Sequence, residues 1–321
     1  MNQFKTLNVL ESEFALKQNP LGKTGVAVSK IGFGASPLGG VFGKVEDAES
    51  VRTVHAAIDL GINFFDTAPY YGLTRSETSL GQGLSGIARD KYFLATKVGR
   101  YNSNEFDFSE SRILLSIEES LKRLQTDSID LITCHDIEFV DPNIIVNEAI
   151  PALRKAREQG KIRFIGISGL PLSIFPRVMD NAEIDTALSY CHYCLNDVSL
   201  AETIPYLQSK QVGIINASPF AMGLLRGGDL PDWHPAPPMI RETCKKAFVY
   251  CKSKGAELPK LALQFTVSNP EIATTLVGMC TQSELEQNIR WISEPIDEAL
   301  LSEVLQILQP VHNLTWKSGL I

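Results

Sequence analysis

Asp66, Lys97 and His135 each close a short run of β-branched and aromatic residues. The runs are Asn63-Phe64-Phe65, Tyr92-Phe93-Leu94-Ala95-Thr96 and Ile129-Asp130-Leu131-Ile132-Thr133-Cys134, and such runs read as buried strands. A carboxylate, an ammonium and an imidazole at successive strand ends are hard to explain by packing, because an unpaired buried charge costs several kcal/mol. Gathered at one rim, they are groups that hold and move protons. After Asp66 the chain continues Thr67-Ala68-Pro69-Tyr70-Tyr71-Gly72, a turn rich in polar groups. On residue types alone, an acid–base site and a plain Asp66–Lys97 ion pair with a hydrogen-bonded rim histidine both stay open.

The elements that must position these residues follow one pattern. Strand-like runs centred on 31–34, 63–68, 92–98, 129–135, 163–169, 186–191, 213–218 and 274–278 alternate with segments of helical period. An example is Ile113, Leu114, Ile117, Leu121 and Leu124, one apolar face at i, i+3/i+4 spacing. Ser109 stands where this helix should be N-capped, and Glu118–Lys122 and Glu119–Arg123 are i, i+4 pairs on its exposed side. Gly61 and Gly160 are placed to end their helices. Eight strand–helix units predict a closed (β/α)₈ TIM barrel, since such barrels take roughly 250 residues plus insertions. No linker divides the chain, so 1–321 reads as a single domain. The segment 219–239, rich in Gly and Pro and carrying Trp233, follows the seventh strand at the ligand-binding face, where a lid is expected.

With 37 Asp+Glu against 30 Lys+Arg and no long basic run, nothing draws the chain to nucleic acid or anionic membrane, and a small-molecule partner fits better. Its start, Met1 to Leu7 followed by Glu11 and Glu13, lacks a secretory profile, and no run of about 18 apolar residues suggests a membrane span. A cytoplasmic protein with free thiols is the expectation. Cys191-His192-Tyr193-Cys194 resembles half a zinc site, but no second ligand pair follows at the expected spacing, so no metal is expected.

The residues Asp66-Thr67-Ala68 through Tyr71-Gly72, Lys97 ending the third strand and His135 ending the fourth resemble the aldo-keto reductase superfamily. The likeness runs from Leu21-Gly22-Lys23-Thr24-Gly25 and Gly32-Phe33-Gly34 to Gly278-Met279-Cys280-Thr281 and Gln287-Asn288. It implies hydride exchange between a carbinol and a nicotinamide cofactor, with Asp66, Tyr71, Lys97 and His135 as the catalytic group. Tyr71, directly before the glycine, takes the proton in place of Tyr70. A free phenol titrates near ~10, so Lys97 is expected to lower the Tyr71 pKa while Asp66 balances Lys97, and neutral His135 orients the substrate oxygen. For the cofactor the resemblance implies Ser168, Gly169, Tyr190, Ser218, Pro219, Gly223, Leu225, Gly278, Glu284, Gln287 and Asn288. Here the chain departs from the family pattern: Gly169 replaces an asparagine, Tyr190 a glutamine, and Ala217 the aromatic that stacks on nicotinamide.

No lysine or arginine occurs from Leu261 to Ile289, and Glu284 stands where NADP-binding members carry arginine. A carboxylate accepts from a ribose hydroxyl and repels a 2′-phosphate, so NAD is expected. Cys134-His135-Asp136-Ile137-Glu138-Phe139 is similar to the sugar-dehydrogenase branch of the superfamily. That implies oxidation of the anomeric C1 hydroxyl of L-galactose to L-galactono-1,4-lactone, on the route to ascorbate, with Asp136, Tyr193 and Trp233 as candidate sugar contacts. The competing expectations are an L-fucose or D-arabinose type of sugar dehydrogenase, a broad NADPH-dependent aldehyde reductase, and a cofactor-binding sensor without turnover.

Overall fold

The computed structural model describes residues 16–320 apart from 42 and 44. The N-terminal stretch read for a leader, Met1 to Leu7 with Glu11 and Glu13, lies outside the described residues. The barrel strands are β1 (Ile31–Gly34), β2 (Phe64–Asp66), β3 (Phe93–Val98), β4 (Ile129–Cys134), β5 (Ile162–Gly169), β6 (Thr186–Tyr190), β7 (Gly213–Ala217) and β8 (Thr274–Gly278). Each pairs in parallel with the next, and β8 closes onto β1. This is the expected (β/α)₈ barrel. The outer helices are α1 (Asp47–Asp59), α2 (Arg75–Leu84), α3 (Glu110–Leu124), α4 (Ile150–Glu158), α5 (Ile174–Met179), α6 (Leu200–Ser209), α7 (Pro238–Ser253), α8 (Leu258–Thr266), α9 (Gln282–Ser293) and α10 (Glu298–Leu308).

Side chains alternate across each strand, so the apolar residues fall into two cores. Phe64, Phe93, Ala95, Leu131, Leu188, Ile215 and Leu276 fill the barrel interior. Phe65, Leu94, Ile132 and Cys134, one residue out of phase, face the helices. Inside, Phe93 stacks between Phe64 and Phe164, with ring centroids 5.0 and 6.0 Å away. A hairpin of Gln18–Pro20 with Ala27–Ser29 sends Leu21 and Val28 into the same interior cluster.

Local signals fared unevenly. Gly61 and Gly160 follow their helices with φ of 86° and 75°, as C′ glycines do. Ser109 occupies the N-cap of α3 but makes no side-chain cap bond. Instead its N–H donates to Asp107 Oδ1 (2.9 Å), whose turn leads into the helix. Of the pairs expected on α3, Glu119–Arg123 forms at 4.0 Å, although Arg123 also bonds Glu77 at 2.6 Å, and Glu118 pairs with Lys161. Glu77 is fully buried, so a guanidinium gains more there than on an exposed helix face.

Two additions cover the C-terminal rim. After β3 the chain forms a small hairpin, Arg100–Asn102 with Glu105–Phe106. After α10 the last residues cross back over the barrel mouth, where Leu320 N–H donates to Glu138 O at 2.9 Å.

Candidate active site

The interior phase that carries Phe64, Phe93, Ala95 and Leu131 also carries Asp66, Lys97 and His135 at the strand ends. The same alternation that packs the core therefore aims these groups into the barrel mouth. Lys97 Nζ donates to Asp66 Oδ1 at 2.5 Å and to the carbonyl of Thr67 at 2.8 Å. Thr67 meets the Ser76 hydroxyl at 2.8 Å, and Ser76 donates to Ala35 O at 2.7 Å, which ties the turn to the segment after β1. The lysine is buried. Burial opposes its charge, but Asp66 and Tyr71 together outweigh that, and its pKa lies above the ordinary value.

Lys97 Nζ lies 4.8 Å from the Tyr71 ring centroid. Tyr71 and Tyr70 both meet His135 edge-on, with centroids 5.5 and 5.9 Å away. Loss of water around the Tyr71 phenol pushes its pKa up to about 12; Lys97 pulls it down, and Asp66 and Asp136 push it up again. The lowered phenol expected from the sequence is thus not found in the protein alone, because desolvation exceeds the ammonium's effect. His135 is held neutral, well below its ordinary pKa, by burial and by the positive charges of Lys97 and Arg100.

The mouth opens into a cleft of about 1360 Å³, larger than the ~300–1,000 Å³ of an ordinary small-ligand pocket. Asp66, Tyr70, Tyr71, Lys97, His135, Asp136, Ser168, Tyr190, Ser218, Pro219, Gly223, Trp233, Gly278 and Glu284 all line it. Among the cofactor candidates, Leu225, Gly169, Gln287 and Asn288 do not. Leu225 is buried in the core beneath its loop. Gln287 and Asn288 stand one turn beyond Glu284 on α9, outside the lining. At Gly169 a Cβ would lie 2.9 Å from Ile174 and 3.0 Å from Glu138 Oε2, so an asparagine here would overlap the carboxylate that has taken its space.

Ser168 is already committed: its hydroxyl donates to Cys134 O (3.3 Å) and accepts from Asp136 N–H (3.1 Å). It can offer a ligand only a remaining lone pair. Tyr193 is absent from the cleft; it stacks on Phe265 of α8 at 5.8 Å. The left-handed backbone at Cys191 (φ 63°) breaks the strand alternation just after Tyr190 and turns the chain away. The neighbouring Cys/His run is used internally, with His192 Nδ1 3.1 Å from Asp197 and 2.9 Å from Ser199. Among the described residues no cluster of three or more His, Cys, Asp or Glu could hold a metal.

Several lining residues escaped the sequence reading. Arg100, on the hairpin after β3, is half-buried, forms an ion pair with buried Asp136 and covers the Tyr70 ring at 4.0 Å. Arg226, from the loop after β7, bonds Glu284 at 3.1 Å. Glu138 accepts from Leu170 N–H, Tyr190 and Ser318, which brings Trp316, Lys317 and Gly319 over the cleft. Arg100 carried a faint signal, three residues beyond a strand-ending lysine. The tail carried none, since its docking depends on a partner 180 residues away.

Residues 30–309 match the profile of the Aldo/keto reductase family. The chain belongs to this family. It is an oxidoreductase of that group, whose members use a nicotinamide cofactor. It is 53% identical over 309 residues to L-galactose dehydrogenase of Arabidopsis thaliana, covering 94% of this chain and 97% of that one. It is 30% identical to D-threo-aldose 1-dehydrogenase of Pseudomonas sp, over 88% and 94% of the two chains. An aldo-keto reductase of Bacillus halodurans, solved in its holo form, superposes with a TM-score of 0.77 at 26% identity, covering 94% of this chain and 98% of that one.

The cleft has the volume for a dinucleotide, and Ser218 and Glu284 offer it polar groups. At Gly34 and Gly278 a Cβ would come within 3.1 Å of Val277 O and of Pro37, respectively, so close packing of the chain on itself requires both glycines. In the loop after β7, Ser218, Ala221 and Met222 all have positive φ, the kind of strained backbone that recurs at ligand clamps.

Proposed function

We propose that this protein is an NAD-dependent sugar dehydrogenase that oxidises the anomeric C1 hydroxyl of L-galactose to L-galactono-1,4-lactone, a step toward ascorbate. The observation that carries the reading is the 53% identity, over nearly the whole of both chains, to L-galactose dehydrogenase of Arabidopsis thaliana. A bound nicotinamide would supply the hydride acceptor. The chain's own residues do the rest. Tyr71 removes the proton from the C1 hydroxyl, and Lys97, fixed by Asp66 and Thr67 O, stabilises the phenolate. Neutral His135 donates to the substrate oxygen and sets its angle.

Support for NAD comes from the ribose end of the cleft. Glu284 Oε2 accepts the Cys280 N–H at 3.0 Å, and its Oε1 neutralises Arg226, the one cation lining that end among the described residues. A 2′-phosphate would have to break that pair and sit beside a carboxylate. Ser218, Gly223, Gly278 and Trp233 line the same cleft, as this reading requires.

Initial rates of reduced-nicotinamide formation with L-galactose, run in parallel with NAD and NADP, test the reading. Saturable NAD-linked turnover, at least tenfold better in kcat/KM than with NADP, is expected. Equal use of the two cofactors would refute the charge argument at Glu284, and no turnover with either would refute the sugar assignment.

A further inference from the structure

Arg100 and Asp136 form a charge pair that proton transfer does not use. Asp136 follows His135 directly, in a left-handed conformation (φ 51°), and its N–H is held by Ser168 at 3.1 Å. Its Oδ2 lies 3.7 Å from His135 Nε2 and bonds Arg100. The guanidinium is clamped among the rings of Tyr70, Phe106 and Phe139, at 4.0, 5.2 and 5.4 Å. Its side chain is 15% exposed and its buried Nε has no partner among the described residues. Buried ion pairs add little to stability compared with apolar packing, so the fold gains little by building a hairpin to hold one here.

We infer that the Arg100–Asp136 pair is the specificity-determining subsite for the hydroxyl on the carbon next to the one oxidised. This inference rests on the sugar-dehydrogenase reading above. A hydroxyl both donates and accepts, and here a carboxylate acceptor and a guanidinium donor stand side by side. If His135 Nε2 holds the C1 oxygen, the adjacent hydroxyl oxygen lies about one hydrogen-bond length, ~2.8 Å, from it, within reach of the carboxylate beside that nitrogen. Asp136 accepts its proton and Arg100 donates into a lone pair. A substrate without this hydroxyl leaves the pair with unused hydrogen-bonding capacity inside the cleft, and sites of this kind discriminate strongly.

The test compares L-galactose with 2-deoxy-L-galactose in the wild-type enzyme and in Arg100→Met and Arg100→Lys, with NAD and across several pH values. NADH binding, followed by fluorescence, establishes that each variant is folded. The wild type should favour the hydroxylated sugar about 100-fold or more in kcat/KM. Arg100→Met should cut that preference to a few-fold, slowing L-galactose far more than the deoxy sugar, and Arg100→Lys should fall between. A general electrostatic effect of Arg100 on His135 or Tyr71 would slow both sugars equally and shift both pH profiles, which overturns the inference. So does a wild type indifferent to the missing hydroxyl. A wild type that turns over neither sugar refutes the functional reading itself, and the inference with it.

Discussion

At the scale of single residues, the proposed mechanism separates the group that carries charge from the group that exchanges a proton. Lys97 stays protonated against Asp66, while Tyr71 stays neutral in the protein alone, with a pKa of about 12. Under the proposed mechanism, removing the Tyr71 hydroxyl deletes the base and little packing. Tyr71→Phe should lower kcat roughly 10²–10⁴-fold, with NADH affinity unchanged by fluorescence titration; a kcat within tenfold of wild type would remove Tyr71 from the role. His135 gives a second expectation. Because its pKa is pushed well below the ordinary 6.5, kcat/KM for oxidation should show no inflection near that pH. The profile should instead climb toward alkaline pH as Tyr71 gives up its proton more readily, and a limb near 6.5 that disappears in His135→Gln would contradict this.

At the scale of elements, two segments outside the barrel complete the cleft. The C-terminal tail is fastened through Glu138, whose carboxyl burial raises from 4.5 to about 7. Between those values the native state binds more protons than the unfolded chain, so this group makes stability fall as pH rises from about 4.5 to 7. The penalty is complete above 7, and at 1.36 kcal/mol per pKa unit it is about 3 kcal/mol. Glu138→Gln keeps an oxygen that can accept from Ser318 and Leu170 but cannot ionise. In urea unfolding the variant should match wild type near pH 5 and exceed it by up to about 3 kcal/mol near pH 8; an unchanged difference between the two pH values would count against a buried carboxylate. The loop after β7 is joined to α9 by Arg226–Glu284. Glu284→Gln removes the repulsion toward a 2′-phosphate and leaves Arg226 free to meet it. Its NADP kcat/KM should rise about tenfold while that for NAD changes less, as paired initial-rate measurements would reveal. Neither attachment was legible in the sequence, since each joins residues distant along the chain. The strands themselves were legible because a period of two is a local property.

At the scale of the molecule, stability and site share one device, the inward phase of the strands. The interior stack of Phe64, Phe93 and Phe164 lies beneath the charged rim, with Phe93 two residue pairs below Lys97 on the same face. Phe93→Ala should cost about 3–5 kcal/mol in unfolding free energy, and a loss below 1 kcal/mol would mean that the barrel interior is not closely packed. The amino-acid sequence by itself determined the eight strands, their parallel closure and the rim positions of Asp66, Lys97 and His135, because alternation and strand ends are written residue by residue. It could not determine which residues meet across the mouth. Arg100 against Asp136, Arg226 against Glu284 and the tail against Glu138 are pairings between separate loops. Tyr193 was lost from the cleft through one left-handed residue, and Gly169 through a carboxylate arriving from another strand's end. Nor could the sequence weigh desolvation against the Lys97 charge at Tyr71, since the extent to which water is excluded exists only once the barrel has closed.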